Sequence, residues 1–136
     1  MTYTNPIIFA RTHFDEKIKT VLDHGKIWIM EEDGSNQKQL TFGNTYDDHP
    51  AFFSDGQHAL YSEFNATNFS PQTPGGKLYK INIHTGEREL YAQEEGCTFH
   101  HVTISPIDDI LMYHRQVGNF VYQRVVTKTE TYELPM

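Results

Sequence analysis

The chain has 136 residues and a mass of 15.8 kDa, enough for one domain with a buried core. Eighteen acidic and eleven basic residues give a net charge of −7. This balance argues against a nucleic-acid partner, because binding to phosphates needs clustered Lys and Arg. No apolar run approaches the length of a membrane helix, and a single cysteine, Cys97, excludes an internal disulfide.

The start of the chain, residues 1–10, lacks the basic region and long apolar stretch of a secretory signal. We therefore expect a cytoplasmic protein, with a periplasmic location only if a leader is missing from the sequence. A polar segment rich in Asn, Thr, Pro and Gly, residues 65–76, is expected to be a surface insertion.

Short β-type runs separated by polar turns fill most of the chain. In chain order, the predicted strands lie at residues 7–11, 26–30, 38–42, 50–54, 59–63, 77–83, 88–91, 102–106, 111–115, 120–126 and 131–134. Asp33-Gly34 and Asp55-Gly56 fall between such runs and are typical of tight hairpin turns. The sequence therefore predicts an all-β protein of about eleven strands.

The strands repeat in groups of four, and the first group lacks its leading strand. Phe9, Tyr61 and Tyr113 mark the repeat, since they follow one another at intervals of 52 residues. Four-stranded units that recur every 40–50 residues are typical of a β-propeller, in which each unit forms one radial blade. We predict a single propeller-type domain over residues 1–136, with antiparallel blades at about 1–44, 45–96 and 97–136.

Three blades are fewer than a closed propeller normally contains, which is typically four to eight. A three-blade unit leaves two sheet faces uncovered, and uncovered faces and edges promote association. Two hypotheses follow: two copies join as a six-bladed ring, or the chain is a piece of a longer propeller. We expect self-association.

The eight histidines include three at matched positions. His49 precedes the predicted leading strand of the second blade, and His100 and His101 precede that of the third, with His49 and His101 52 residues apart. The leading strand of a blade is innermost, so these side chains should converge at the mouth of the channel. Imidazoles from separate blades can hold a divalent cation, and Asp48 can add an oxygen ligand. Alternatively, these side chains only hydrogen-bond the turns between blades.

Three segments resemble the WD40-like (PD40) repeat of TolB-type β-propellers: residues 27–36 (IWIMEEDGSN), 39–41 (QLT) and 48–56 (DHPAFFSDG). The resemblance implies the propeller fold. We predict a non-catalytic TolB-like module that binds a protein or small ligand at the blade rim or channel mouth, because this function needs no residues beyond those seen. The sequence has no Gly-x-Ser-x-Gly motif, so the peptidase chemistry of some proteins with this repeat is absent.

A weaker similarity connects residues 49–52 (HPAF) and 97–100 (CTFH) with oligogalacturonate lyases. It implies a manganese ion on the histidines at the channel mouth and cleavage of acidic oligosaccharides, at a site shared between chains. Arg115 and Arg11 occupy matched positions on the second strand of their blades. Because arginine pairs bidentately with carboxylates, both are candidates for binding the substrate.

Overall fold

The computed structural model describes residues 2–17, 20–65 and 73–136. Within these ranges it confirms the all-β class, with eleven strands and no helix. The strands are β1 (Pro6–Asp15), β2 (Thr20–Glu31), β3 (Lys38–Gln39), β4 (Tyr46–Phe52), β5 (His58–Phe64), β6 (Lys77–Asn82), β7 (Arg88–Ala92), β8 (Thr98–Ile104), β9 (Leu111–Val117), β10 (Phe120–Val126) and β11 (Thr131–Pro135). Accordingly, no helix in the described ranges is suited to spanning a membrane. Most of the expected surface insertion, residues 66–72, lies outside them.

The strands form three antiparallel sheets in which neighbours in sequence are neighbours in space. Blade I contains β1–β3, blade II contains β4–β7 and blade III contains β8–β11. The register matches the 52-residue repeat, because Phe9 pairs with Trp28 in the same way as Tyr61 pairs with Tyr79. The first strand of blade I is therefore equivalent to β5 and β9, and blade I lacks the counterpart of β4 and β8, as predicted.

The innermost strands of blades II and III begin earlier than the sequence indicated. β4 starts at Tyr46 and β8 at Thr98, about four residues before the predicted starts, so His49 and His101 lie within strands rather than ahead of them. Both fall at a register shift and have a left-handed backbone, with φ of 53° and 54°. These shifts break the period-two alternation, which concealed the strand starts.

The core consists of two apolar clusters, one at each blade junction. Ile8 and Ala10 of blade I pack with Ala59 and Tyr61 of blade II. At the second junction, Leu60 and Leu78 of blade II meet a set from blade III: Phe99, Val102, Ile104, Leu111 and Tyr113. Because alternate residues of a strand point to opposite faces, β5 supplies both junctions. Each blade thus has a forward face toward the next blade in the chain and a rear face toward the preceding one.

Two glycines allow the blades to approach closely. A Cβ at Gly25 of β2 would lie 2.8 Å from the backbone oxygen of Asp47 in β4. A Cβ at Gly76, just before β6, would collide with Thr98 of β8. The pairings of Arg11 with Lys26 and of Glu63 with Lys77 make these two glycines equivalent. In each case the glycine makes room for the innermost strand of the next blade.

Candidate metal centre

Four histidines meet where blade II contacts blade III. His49 comes from β4, His100 and His101 from β8, and His114 from β9, where it pairs with His100. Ring centroids are 4.2 Å apart for His49 and His101 and 4.8 Å apart for His101 and His114. The structure therefore brings together the three histidines selected from the sequence and adds a fourth.

His100 is the buried member of the cluster, with 3% of its surface exposed. The Gln116 amide nitrogen donates a hydrogen bond to the Gly118 carbonyl at 2.8 Å, so the amide oxygen faces His100. That oxygen lies 2.8 Å from His100 Nε2 and can only accept, which assigns the ring proton to Nε2. In the neutral ring, the Nδ1 lone pair of His100 is then directed toward His101.

His101 and His114 complete a group of three imidazoles. The Nδ1 atom of His101 lies 2.8 Å from Nδ1 of His100 and 3.2 Å from Nδ1 of His114. One ligand nitrogen from each of the three rings can be chosen so that all lie within 4.8 Å of one another. His101 is exposed and His114 is partly buried, so the group is open to solvent on one side.

His49 has a supporting position beside this group. Its Nδ1 accepts a hydrogen bond from the backbone N–H of His101 at 3.2 Å, which holds β8 against β4. Asp48 accepts a hydrogen bond from the backbone N–H of His49 at 2.8 Å, and its second oxygen lies 3.8 Å from His49 Nε2. Asp48 and His49 therefore stabilise the bulged backbone, while ligand nitrogens of His100, His101 and His114 lie within 4.8 Å of one another.

Burial favours the neutral form of His49, His100 and His114 by lowering the pKa of each. Burial lowers the pKa of His100 to about 4. The hydrogen bond with Gln116 partly opposes this shift, and the neighbouring histidine rings add to it. Burial also lowers the pKa of His49, although Asp48 opposes the shift, and it lowers the pKa of His114, with His101 adding to the effect. Neutral imidazole is the form that binds metals.

The spacing of the nitrogens suits a metal ion. A metal at about 2.0–2.1 Å from each imidazole nitrogen in tetrahedral geometry needs nitrogens roughly 3.3 Å apart. The two Nδ1 separations around His101, 2.8 and 3.2 Å, are close to this value. The Gln116 amide oxygen also accepts a hydrogen bond from His100 Nε2, and such a bond to the outer nitrogen orients the histidine ring at metal sites. The residue types and the two separations around His101 therefore suit a metal ion, and the ligand nitrogens of His100 and His114 lie within 4.8 Å of each other.

The two candidate arginines lie elsewhere. Arg115 follows His114 in β9, so its side chain leaves the opposite face of the strand. There it pairs with both carboxylate oxygens of Glu133, at 2.5 and 3.1 Å, and also contacts Glu94 and Cys97. Arg11 of blade I lies 4.5 Å from the Trp28 ring centroid and hydrogen-bonds Gln37.

His114 and Gln116 are the residues that sequence reasoning missed. Their role depends on the pairing of β8 with β9, which sets His100 opposite His114 and Thr98 opposite Gln116. The available signal was alternation along β9, since residues 112, 114 and 116 share one face. Because the equivalent residues in the other blades are Ala10 and Ser62, the repeat did not mark position 114.

Comparisons with known proteins support the architecture. No protein-family model matches the sequence. TolB from Acinetobacter baumannii has a similar fold, with a TM-score of 0.67 and 15% identity over 93% of this chain and 30% of that chain. A putative TolB from Agrobacterium tumefaciens gives a TM-score of 0.66 and 14% identity, over 94% of this chain and 46% of that chain. The chain thus has the fold of TolB-type β-propeller blades and spans less than half the length of either protein.

Proposed function

We propose that this chain is a non-catalytic propeller module that binds a divalent transition metal where blade II meets blade III. The metal in turn helps to bind a protein or small-molecule ligand at the same channel mouth. The observation that carries the proposal is the convergence of nitrogens from His100, His101 and His114 within 4.8 Å. The sequence resemblance to the WD40-like repeat of TolB-type propellers supports the non-catalytic part.

The donor chemistry favours particular metals. Three imidazole nitrogens suit Zn²⁺, Ni²⁺ or Cu²⁺, whereas Mn²⁺ prefers sites richer in oxygen. Asp48 is the nearby oxygen donor proposed from the sequence, and its carboxylate already caps the backbone of His49. We therefore expect zinc to bind more tightly than the manganese implied by the lyase resemblance.

A metal ion held by three histidines would bind the partner or small-molecule ligand at an open coordination position. Three protein ligands leave the fourth position of a tetrahedral ion for an incoming donor. Because His101 is exposed, that position would face solvent. A carboxylate or imidazole from a partner could complete the coordination without any reaction taking place.

Metal titration by calorimetry, on protein first treated with a chelator, tests the proposal. Wild type should bind about one Zn²⁺ per chain. His101→Ala and His114→Ala should each weaken binding at least tenfold, because each removes one of three ligands. His58→Ala is the matched control, since His58 pairs with Asp55 in the turn before β5. Absence of zinc binding, together with a melting temperature that chelation leaves unchanged, would refute the metal site.

His49→Ala separates support from ligation. Because His49 accepts a hydrogen bond from the His101 backbone, its loss should weaken zinc binding less than loss of His114. Equal or larger weakening would show that His49 itself ligates the metal.

A second candidate function, a metal-dependent lyase of acidic oligosaccharides, is favoured by the same three imidazoles. It would need a carboxylate-binding arginine near them, whereas Arg115 is paired with Glu133 on the opposite face of its strand. Uronate oligomers incubated with Zn²⁺ or Mn²⁺ distinguish the two functions by ultraviolet absorbance. The binding module predicts a flat trace; an increase in absorbance that His101→Ala abolishes would establish the lyase.

A further inference from the structure

Two sheet faces lack a neighbouring blade in the single chain. The rear face of blade I carries Ile7, 40% exposed, together with the partly buried Phe9 and Trp28. The forward face of blade III carries Met112, 39% exposed, with Tyr132 and Leu134 on the outermost strand, 44% and 50% exposed. Polar side chains accompany these apolar ones, since Arg11 lies over Phe9 and Trp28 on the first face and His114 shares the face of Met112 on the second. The two faces lie at the two ends of the row of blades.

The positions on these open faces are equivalent to buried positions at the internal junctions. Met112 is equivalent by the 52-residue repeat to Leu60, which is fully buried against blade III. Ile7 is equivalent to Ala59, which is fully buried against blade I. The forward face of blade III is therefore equivalent to a face that contacts a following blade. The rear face of blade I is equivalent to a face that contacts a preceding blade.

The glycine pattern identifies which kind of blade follows blade III. Gly25 and Gly76 make room for the innermost strand of the next blade. In blade III, Arg115 pairs with Tyr122 as Glu63 pairs with Lys77, so the residue equivalent to Gly76 is Val121. A valine there suits a following blade without an innermost strand. Blade I, with three strands, is such a blade.

We infer that a second copy of this chain covers both open faces, with blade III of each copy packed on blade I of the other. Each copy contributes three blades, and the resulting six lie within the range of about four to eight in closed propellers. The interface is head-to-tail and closes after two copies, so it forms twice around one twofold axis. The inference depends on the propeller fold and goes beyond the proposed metal site.

Sedimentation of wild type and three single variants tests the inference. Wild type should sediment as a dimer, twice 15.8 kDa, at micromolar concentration. Met112→Glu and Ile7→Glu each place a charge on one open face and should each raise the dissociation constant at least tenfold. Ile107→Glu is the control, because Ile107 is 84% exposed in the turn between β8 and β9. All samples are measured with a chelator and again with Zn²⁺, which separates dimerisation from metal binding.

A mixture of the two disrupting variants tests the head-to-tail arrangement. A heterodimer of Met112→Glu with Ile7→Glu contains one junction between unaltered faces, so mixing should restore part of the dimer. A wild type that stays monomeric up to about 100 μM would overturn the inference, as would disruption by only one of the two variants. Species that grow beyond the dimer with concentration would also overturn it, because the ring would then not close.

Discussion

The two blade junctions have the same scaffold but different chemistry at the channel mouth. At the junction of blades I and II, Lys26 lies 3.3 Å from Asp47, and both side chains are buried. At the junction of blades II and III, the position equivalent to Asp47 is Phe99, and imidazoles occupy the mouth. Both junctions include the same bulge, with a left-handed histidine at residue 49 or 101.

The two junctions therefore share the backbone geometry of the bulge and differ in the side chains next to it. In blade II the strand residue opposite the bulge, Ser62, is equivalent to His114 in blade III. The residue that pairs with it also differs, since Asp48 is equivalent to His100. Differences at these two paired positions leave one histidine at the bulge of blade II and give three at that of blade III. The first junction contains a buried ion pair, and the second contains a group of three imidazoles.

The largest effect is expected from breaking the ion pair of the first junction. Asp47→Ala should lower the free energy of unfolding by about 3–5 kcal/mol, because it leaves the buried Lys26 ammonium without its counter-charge. Asp47 also accepts a hydrogen bond from Thr45 at 2.9 Å. Urea denaturation measures the loss. The double variant Lys26→Met, Asp47→Leu should recover most of it, and failure to do so would mean that the charges themselves are needed for folding.

At the second junction, which contains histidines instead of an ion pair, acid should lower the free energy of unfolding. The pKa of His100 is about 4 in the folded protein and about 6.5 when exposed. The unfolded chain therefore binds more protons between these values, and stability falls as the pH decreases through this window. The slope contributed by His100 approaches about 1.4 kcal/mol per pH unit. Urea denaturation between about pH 7 and pH 5, with a chelator present, measures it.

His100→Gln should flatten this pH dependence because the titrating group is gone. An unchanged slope in His100→Gln would show that other groups cause the acid sensitivity.

The smallest effect is expected at Ser62, one of the two positions that distinguish the bulges of blades II and III. Ser62 is fully buried, and its hydroxyl has no hydrogen-bond partner among the described residues. Ser62→Ala should therefore be neutral or stabilising by up to about 1 kcal/mol, as blade I already carries Ala10 there. Ser54→Ala is the contrast and should lose stability, because the Ser54 hydroxyl donates a hydrogen bond to Asp109 at 2.7 Å that alanine cannot make. Clear destabilisation by Ser62→Ala would indicate a polar partner for that hydroxyl.

The amino-acid sequence predicted most of the strands but only part of the candidate site. Eleven strands, the 52-residue repeat and the missing leading strand of blade I followed from alternation and turn residues, and the structure confirms them. The starts of β4 and β8 were misplaced because the bulges at His49 and His101 interrupt the alternation. The contribution of His114 was missed because it depends on cross-strand register.

The periodicity of the residues and the chemistry of the turns specified which segments become strands and how these strands group into blades. Those properties depend on residues a few positions apart. The convergence of His114 on His101, the pairing of Arg115 with Glu133 and the burial that lowers the pKa of His100 depend on contacts between separate strands. Register and packing decide such contacts, because a single step along a strand turns a side chain to the opposite face.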